Sequence, residues 1–321
     1  MTDTIVDVGH GIELAYEQLG DQGGVPLLLI TGLGMQLYSW PDEFCALLTT
    51  RGYRVIRFDN RDRGRSTHLG FPPPGPLRML TRRWDPRQYT LADMAADTAG
   101  LLDALDVPSA HLVGASMGGM IAQTVAVRYP ERVRSLTTIM STTGASRVGR
   151  PALSTWRIMF SRPPRDRAEA MDRAVRIFRH IGSAGYPFDE ARVRELASLG
   201  WDRDPVGAGT GRQLAAIIKS GDRTGELRSV TAATLVIHGD RDLMVNPSGG
   251  AATVRAIPGA RLETIKGMGH DLPAGVWPRI ADLIDGHARA AAADQPAASQ
   301  LTPDQSAQHQ PVGRSGDGQE S

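Results

Sequence analysis

Apolar positions along this chain fall into two kinds of run that take turns. Short apolar stretches mark strands buried on both faces, since a strand with one wet face would alternate with polar residues. Pro26 to Ile30, Arg54 to Phe58, Ala110 to Val113, Leu136 to Met140, Thr234 to His238 and Arg261 to Ile265 read as such strands. Between them, apolar residues recur at helical spacing. Leu91, Met94, Ala95, Leu101, Leu102 and Leu105 share one face, and Thr90 with Asp93 three residues on gives a capping-box start. A second helix runs from Met117 to Tyr129 and stops before Pro130, whose ring cannot continue it. A third covers Val276 to Arg289. Ile5 to Val8 and Ile12 to Tyr16 alternate around Gly9-His10-Gly11, which predicts an antiparallel hairpin at a sheet edge. Strands alternating with helices predict an α/β fold with a mostly parallel, doubly wound sheet.

Two segments break the alternation. Thr67 to Tyr89 is proline-rich at Phe71 to Pro76 and longer than an ordinary connection, so it reads as an excursion beside the site. Residues 144–233 carry helical stripes such as Met171, Ala174, Val175, Phe178 and Ile181. They read as a helical cap inserted between two core strands, with the stripes serving packing. The core is then residues 1–143 and 234–289. Residues 290–321 are rich in Ala, Gln, Ser, Pro and Gly and cannot bury enough surface to order themselves, which predicts a disordered tail.

Composition narrows the class. The 321 residues are 41% hydrophobic and 22% charged with a net charge of +1, so nothing steers the chain toward nucleic acid. A single cysteine, Cys45, allows no intrachain disulfide and reads as a small buried apolar residue. No secretory signal and no transmembrane run is visible, and the expectation is a cytoplasmic enzyme.

The chemistry begins at Gly114-Ala-Ser-Met-Gly118, which follows a predicted strand and opens a predicted helix. A strand that reverses this sharply into a helix exposes the serine hydroxyl, and glycines two residues away on either side avoid a clash. A serine hydroxyl needs a base, and the base needs an orienting acid. In the doubly wound hydrolase arrangement, acid and base follow the serine in that order. The acid belongs in the loop after Thr234 to His238, where Asp240 and Asp242 both stand. Asp242 lies deeper in the loop and is favoured; Asp240, at the strand end, is better placed to hold the turn. The base is His270, in the glycine-containing loop after the last strand. Of the other histidines only His68, near the presumed mouth, competes. The oxyanion needs two preorganised donors, assigned to the backbone N–H groups of Met117 and of Leu33 in Thr31-Gly32-Leu33-Gly34.

With these residues in place, residues 10–289 resemble the α/β-hydrolase superfamily. The landmarks are the Thr31–Gly34 loop, Asp59-Asn-Arg-Asp-Arg-Gly-Arg-Ser66, the serine turn, His238-Gly-Asp-Arg-Asp242 and Gly269-His270. Trp40 to Phe44, Val55 to Asp62, Gly182 with Gly185 to Phe188, and Gly267 to Pro273 resemble bacterial carboxylesterases of the aclacinomycin methylesterase type. Two departures stand out. Thr31 replaces the usual histidine of the oxyanion loop, and Asp62 stands where the first glycine of D-x-R-G-x-G-x-S falls. An aspartate tolerates turn conformations, so the loop is expected to survive.

The resulting expectation is a serine esterase acting through an acyl-enzyme, with Ser116, His270 and Asp242 as the triad and no metal or organic cofactor. Its partner is a small-molecule ester, with a hydrophobic substrate suggested by Met159, Phe160, Ile177, Phe178, Tyr186, Phe188 and Trp201. The arginines Arg147, Arg150, Arg157, Arg162, Arg165 and Arg167 read as a solvated face. Thioester hydrolysis, carbon–carbon bond hydrolysis and cofactor-free perhydrolysis could use the same triad. A non-catalytic binding protein on this fold is the remaining alternative. Oligomeric state is not encoded in any of these signals.

Overall fold

The computed structural model describes residues 3–159, 164–205 and 207–293, and leaves out the side chains of Met159 and Ala208. Phe160, Arg162 and the tail from residue 294 on lie outside the described residues. In chain order the elements are β1 (Thr4–Asp7), β2 (Glu13–Leu19), β3 (Val25–Ile30), α1 (Asp42–Thr49), β4 (Tyr53–Phe58), α2 (Pro76–Thr81), α3 (Leu91–Ala104), β5 (Ala110–Ala115), α4 (Met117–Arg128) and β6 (Val133–Ile139). There follow α5 (Leu153–Met159), α6 (Arg167–Ile181), α7 (Glu190–Arg203), α8 (Ala208–Ser220), β7 (Thr234–Gly239), α9 (Ser248–Ala256), β8 (Arg261–Ile265) and α10 (Trp277–Ala293).

All six apolar stretches and both hairpin arms belong to one eight-stranded sheet, ordered β1-β2-β4-β3-β5-β6-β7-β8. The β1–β2 and β2–β4 pairs are antiparallel and the rest parallel. From β3 the chain goes to β4 on one side and later to β5 on the other. The strand order therefore reverses between β3 and β5, and it is at the carboxyl edge of such a switch point that ligands of open α/β sheets bind.

The two-residue period of the strands divides the core. Leu28, Ile30, Ile56, Phe58, Leu112 and Leu136 face one layer, packed with Leu91, Met94, Leu101 and Leu102 of α3 and Ile121 and Val125 of α4. Leu27, Leu29, Val55, Val113, Leu235 and Ile237 face the other, packed with Phe44 and Leu48 of α1 and Ile280 and Ile284 of α10. Cys45 sits in this second layer, where burial pushes its thiol up to about 12. The Thr90–Asp93 capping box forms at the start of α3.

Two sequence boundaries shift. α10 continues through Ala293, so residues 290–293, counted above with the tail, are its last turn, with Ala291 buried. Residues 222–233, counted with the cap, fold back on the core, where Leu227 and Val230 join the layer of Leu102 and Val125. Apolar burial decided both: the short residues at each place pack, although neither segment has a strong periodic stripe. The helices between β6 and β7 are α5 to α8. In α6 the predicted stripe faces inward, with Val175 and Ile181 buried and Met171, Ala174 and Phe178 partly so.

Candidate active site

Ser116 is the single residue between the end of β5 and the start of α4. Its backbone lies at φ 54°, ψ −118°. A residue with a side chain in that region stores about 1–3 kcal/mol and persists only where its surroundings fix it. Here the Ser116 N–H donates to the Ile139 carbonyl at 2.9 Å. Its own carbonyl accepts from the Gly119 and Met120 N–H groups and, at 2.8 Å, from the Ser141 hydroxyl. The flanking glycines have a steric cause. A Cβ on Gly114 would strike the Gly118 carbonyl, and one on Gly118 would strike the Ile30 carbonyl of β3.

The Ser116 hydroxyl lies 3.1 Å from His270 Nε2, and His270 Nδ1 lies 2.7 Å from Asp242 Oδ2. A carboxylate only accepts, so Nδ1 carries the proton and Nε2 is left as an acceptor facing the serine. Asp242 Oδ1 accepts from the Met244 and Val245 N–H groups, both at 2.8 Å. Burial alone would raise the Asp242 pKa. The facing His270 and His238 and the Val245 N–H outweigh it and hold the carboxyl at about 2, below the usual range. Asp240 points elsewhere: its Oδ1 accepts from the Gly267 N–H at 2.7 Å and pins the β7 loop to the β8 loop. His68 Nε2 turns to the Gly64 carbonyl.

The loop after β3 runs alongside the serine. A Cβ on Gly32 would sit 3.3 Å from Ser116 Cβ and 3.8 Å from its Oγ, so the residue before Leu33 passes beside the hydroxyl. Met117 opens α4, and its N–H belongs to the first turn, which has no acceptor within the helix. Thr31, the departure from the usual histidine, is buried, and its carbonyl and hydroxyl both accept from Asn60 Nδ2. Asp62, the other departure, has φ 69° and a carboxylate bonded twice to the Arg212 guanidinium, at 2.6 and 2.8 Å.

Several contributors escaped the sequence reading. His238 closes the predicted strand Thr234 to His238. Its Nε2 donates to the Val245 carbonyl at 2.8 Å and lies 3.4 Å from Asp242 Oδ2. The four-residue spacing of His238 and Asp242 was the available signal. The His270 loop is clamped from the segment after α6. The His270 N–H donates to the Ile181 carbonyl at 2.7 Å, Gly269 N–H to Ser183 Oγ at 2.9 Å, and Ser183 Oγ to Asp271. These contacts join residues some 86–89 apart, and no local pattern announces them. Among the described residues no group of three or more His, Cys, Asp or Glu side chains is placed to hold a metal, and no helix is long and apolar enough to cross a membrane.

A family model described as the alpha/beta hydrolase fold matches residues 25–273. Rhodomycin D methylesterase DnrP of Streptomyces peucetius is 33% identical over 87% of this chain and 96% of its own length. Rhodomycin D methylesterase DauP of Streptomyces sp. (strain C5) is 32% identical over the same shares. Among solved structures, a hydrolase from Pseudomonas aeruginosa PA01 aligns with TM-score 0.65 and 24% identity, over 90% of this chain and 98% of that one. The enol-lactonase from Burkholderia xenovorans LB400 aligns with TM-score 0.65 and 21% identity, over 91% and 100%.

Proposed function

This chain belongs to the α/β-hydrolase fold family as a carboxylic ester hydrolase, and on that premise we propose that it works through a Ser116 acyl-enzyme. The observation that carries the proposal is the unbroken hydrogen-bond line Ser116–His270–Asp242 beside the carboxyl ends of β3 and β5. Ser116 Oγ attacks the ester carbonyl while His270 Nε2 takes its proton. The carbonyl oxygen becomes an oxyanion, which the Leu33 and Met117 N–H groups receive. Asp242, already ionised, stabilises the imidazolium. His270 then hands its proton to the leaving alcohol as the carbon–oxygen bond breaks. Water, deprotonated by His270, attacks the acyl-enzyme, and the acid is released as Ser116 regains its proton.

The substrate class in this reading is a methyl or other small alkyl ester on a hydrophobic small molecule. Two similar proteins carry the name methylesterase, and Ile177, Phe178, Tyr186 and Trp201 are partly buried in the helices between β6 and β7 and the segment that joins them. We take residues 144–221 as the cap. Fluorophosphonate labelling with mass mapping tests the nucleophile: the label is expected on Ser116 and absent in Ser116→Ala. A graded series of methyl, butyl and octyl esters beside matched thioesters tests the class. Labelling that persists in Ser116→Ala, or turnover confined to thioesters, would overturn the reading.

A further inference from the structure

The loop that carries Leu33 is held partly from outside the sheet. The Gly34 N–H donates to Gln213 Oε1 at 2.9 Å, from a residue 179 positions away. Gln213 stands on α8 and is fully buried. Its Nε2 donates to the Arg61 carbonyl at 2.8 Å, in the turn that follows β4. Gly34 offers only an N–H here and Arg61 only a carbonyl, so one orientation of the amide satisfies both. Thr210, on the same helix, closes the space on the Gly34 α-carbon. A Cβ there would lie 3.1 Å from Thr210 Oγ1, and Gly34 itself sits at φ 69°. The Leu33–Gly34 peptide is thus blocked from turning by a hydrogen bond and by packing, both supplied by α8.

That peptide shares the Leu33 α-carbon with the Gly32–Leu33 peptide, whose N–H is the donor assigned to the oxyanion. A backbone donor helps only if it is aimed beforehand at the place where charge develops. Holding the Gly34 amide restrains the backbone of Leu33 and engages the N–H next to the assigned donor. We infer that Gln213 is a positioning residue for the oxyanion loop, contributed by the inserted helices rather than by the hydrolase core. The inference rests on the assignment of Leu33 as an oxyanion donor.

Two variants and a p-nitrophenyl ester test it. Gln213→Met removes both bonds; kcat is expected to fall about tenfold while KM stays within about twofold, because a misaimed donor is felt in the transition state. The affinity for an alkyl boronic acid, which forms a tetrahedral adduct on the serine, should fall by the same factor. Affinity for the carboxylic acid product should not change. Gln213→Glu keeps the acceptor for Gly34 and loses the donor to Arg61, so Tm should fall while kcat stays within about threefold. A folded Gln213→Met enzyme with unchanged kcat overturns the inference. So does a Gln213→Glu enzyme slowed tenfold, which decides the matter if the Met variant fails to fold. Ser116→Ala is run alongside. Full activity there overturns the serine mechanism itself, whereas an inactive Ser116→Ala beside an unaffected Gln213→Met overturns only the role of Gln213.

Discussion

At pH 7 Asp242 is a buried carboxylate facing two imidazoles, His270 and His238. Its proton is lost near pH 2 when folded and near pH 4 in an ordinary carboxylate, so its stabilisation is full above about pH 4 and fades as pH falls toward 2. That two-unit gap corresponds to about 2–3 kcal/mol. His111 acts in a higher window. Burial on β5, with Arg134 and His287 nearby, lowers it to about 4. A base with a lowered folded pKa stabilises fully above its ordinary value near 6.5 and loses that contribution as pH falls to 4, up to about 3 kcal/mol. His287, lowered chiefly by burial, likewise loses stabilisation as pH falls below its ordinary value. Urea unfolding should therefore show stability falling from pH 6.5 to 4, less steeply in His111→Asn, with a further loss below pH 4 that Asp242→Asn lacks. Identical slopes for His111→Asn and wild type would exclude His111 as a source. For catalysis, Asp242→Asn should cost about 10⁴ in kcat by presenting the wrong tautomer. Asp240→Asn, which loses only a bond to the Gly267 N–H, should stay within about tenfold. A larger loss in Asp240→Asn than in Asp242→Asn would reverse the assignment of the acid.

Turns and helices show why some elements were legible and others not. The buried strands could be read because their apolar runs need no partner to be recognised. α9 could not, because Gly249 and Gly250 lie in its first turn and glycine disfavours helix. The fold places glycine there for packing: a Cβ on Gly250 would sit 2.6 Å from His238 Nδ1. The Asp59–Ser66 turn was recognised by its motif, but the reason for Asp62 lies on α8. Asp62 and Arg212 are both buried, and Arg212 also donates to the Phe71 carbonyl at 2.6 Å, which seats the proline-rich excursion against that helix. Asp62→Gly would relieve the positive φ yet leave the guanidinium buried without its partner, at about 3–5 kcal/mol. Adding Arg212→Met should recover most of that loss, because the pair is then removed together. A double-mutant cycle by chemical denaturation measures this, and additive losses would show that the two side chains are not coupled.

For the molecule as a whole, the inserted helices are tied to the core at their base. The Arg223 N–H donates to the Thr143 carbonyl at 3.0 Å, and its guanidinium donates to the Thr142 carbonyl and to Gln123 of α4. The chain therefore leaves the core and returns to it through one clasp, beside the helix that follows Ser116. At the other end, α10 closes over β6 and α1 and finishes at Ala293. Beyond it only Leu301 and Val312 are large aliphatic residues. A chain ended after Ala293 should keep the wild-type Tm and activity, while one ended after Arg289 should melt lower through loss of the turn that buries Ala291. A drop in Tm for the chain ended after Ala293 would assign residues 294–321 a packing role. The sequence by itself determined the sheet, the serine turn and the order of Ser116, Asp242 and His270 along the loops, because strand burial and sharp turns leave local, short-range patterns. Only the tertiary structure decided which aspartate meets His270, why Asp62 is tolerated, and that Gln213 reaches the loop beside Ser116. Those answers depend on side chains tens to hundreds of positions apart meeting in space, and no local periodicity records such meetings.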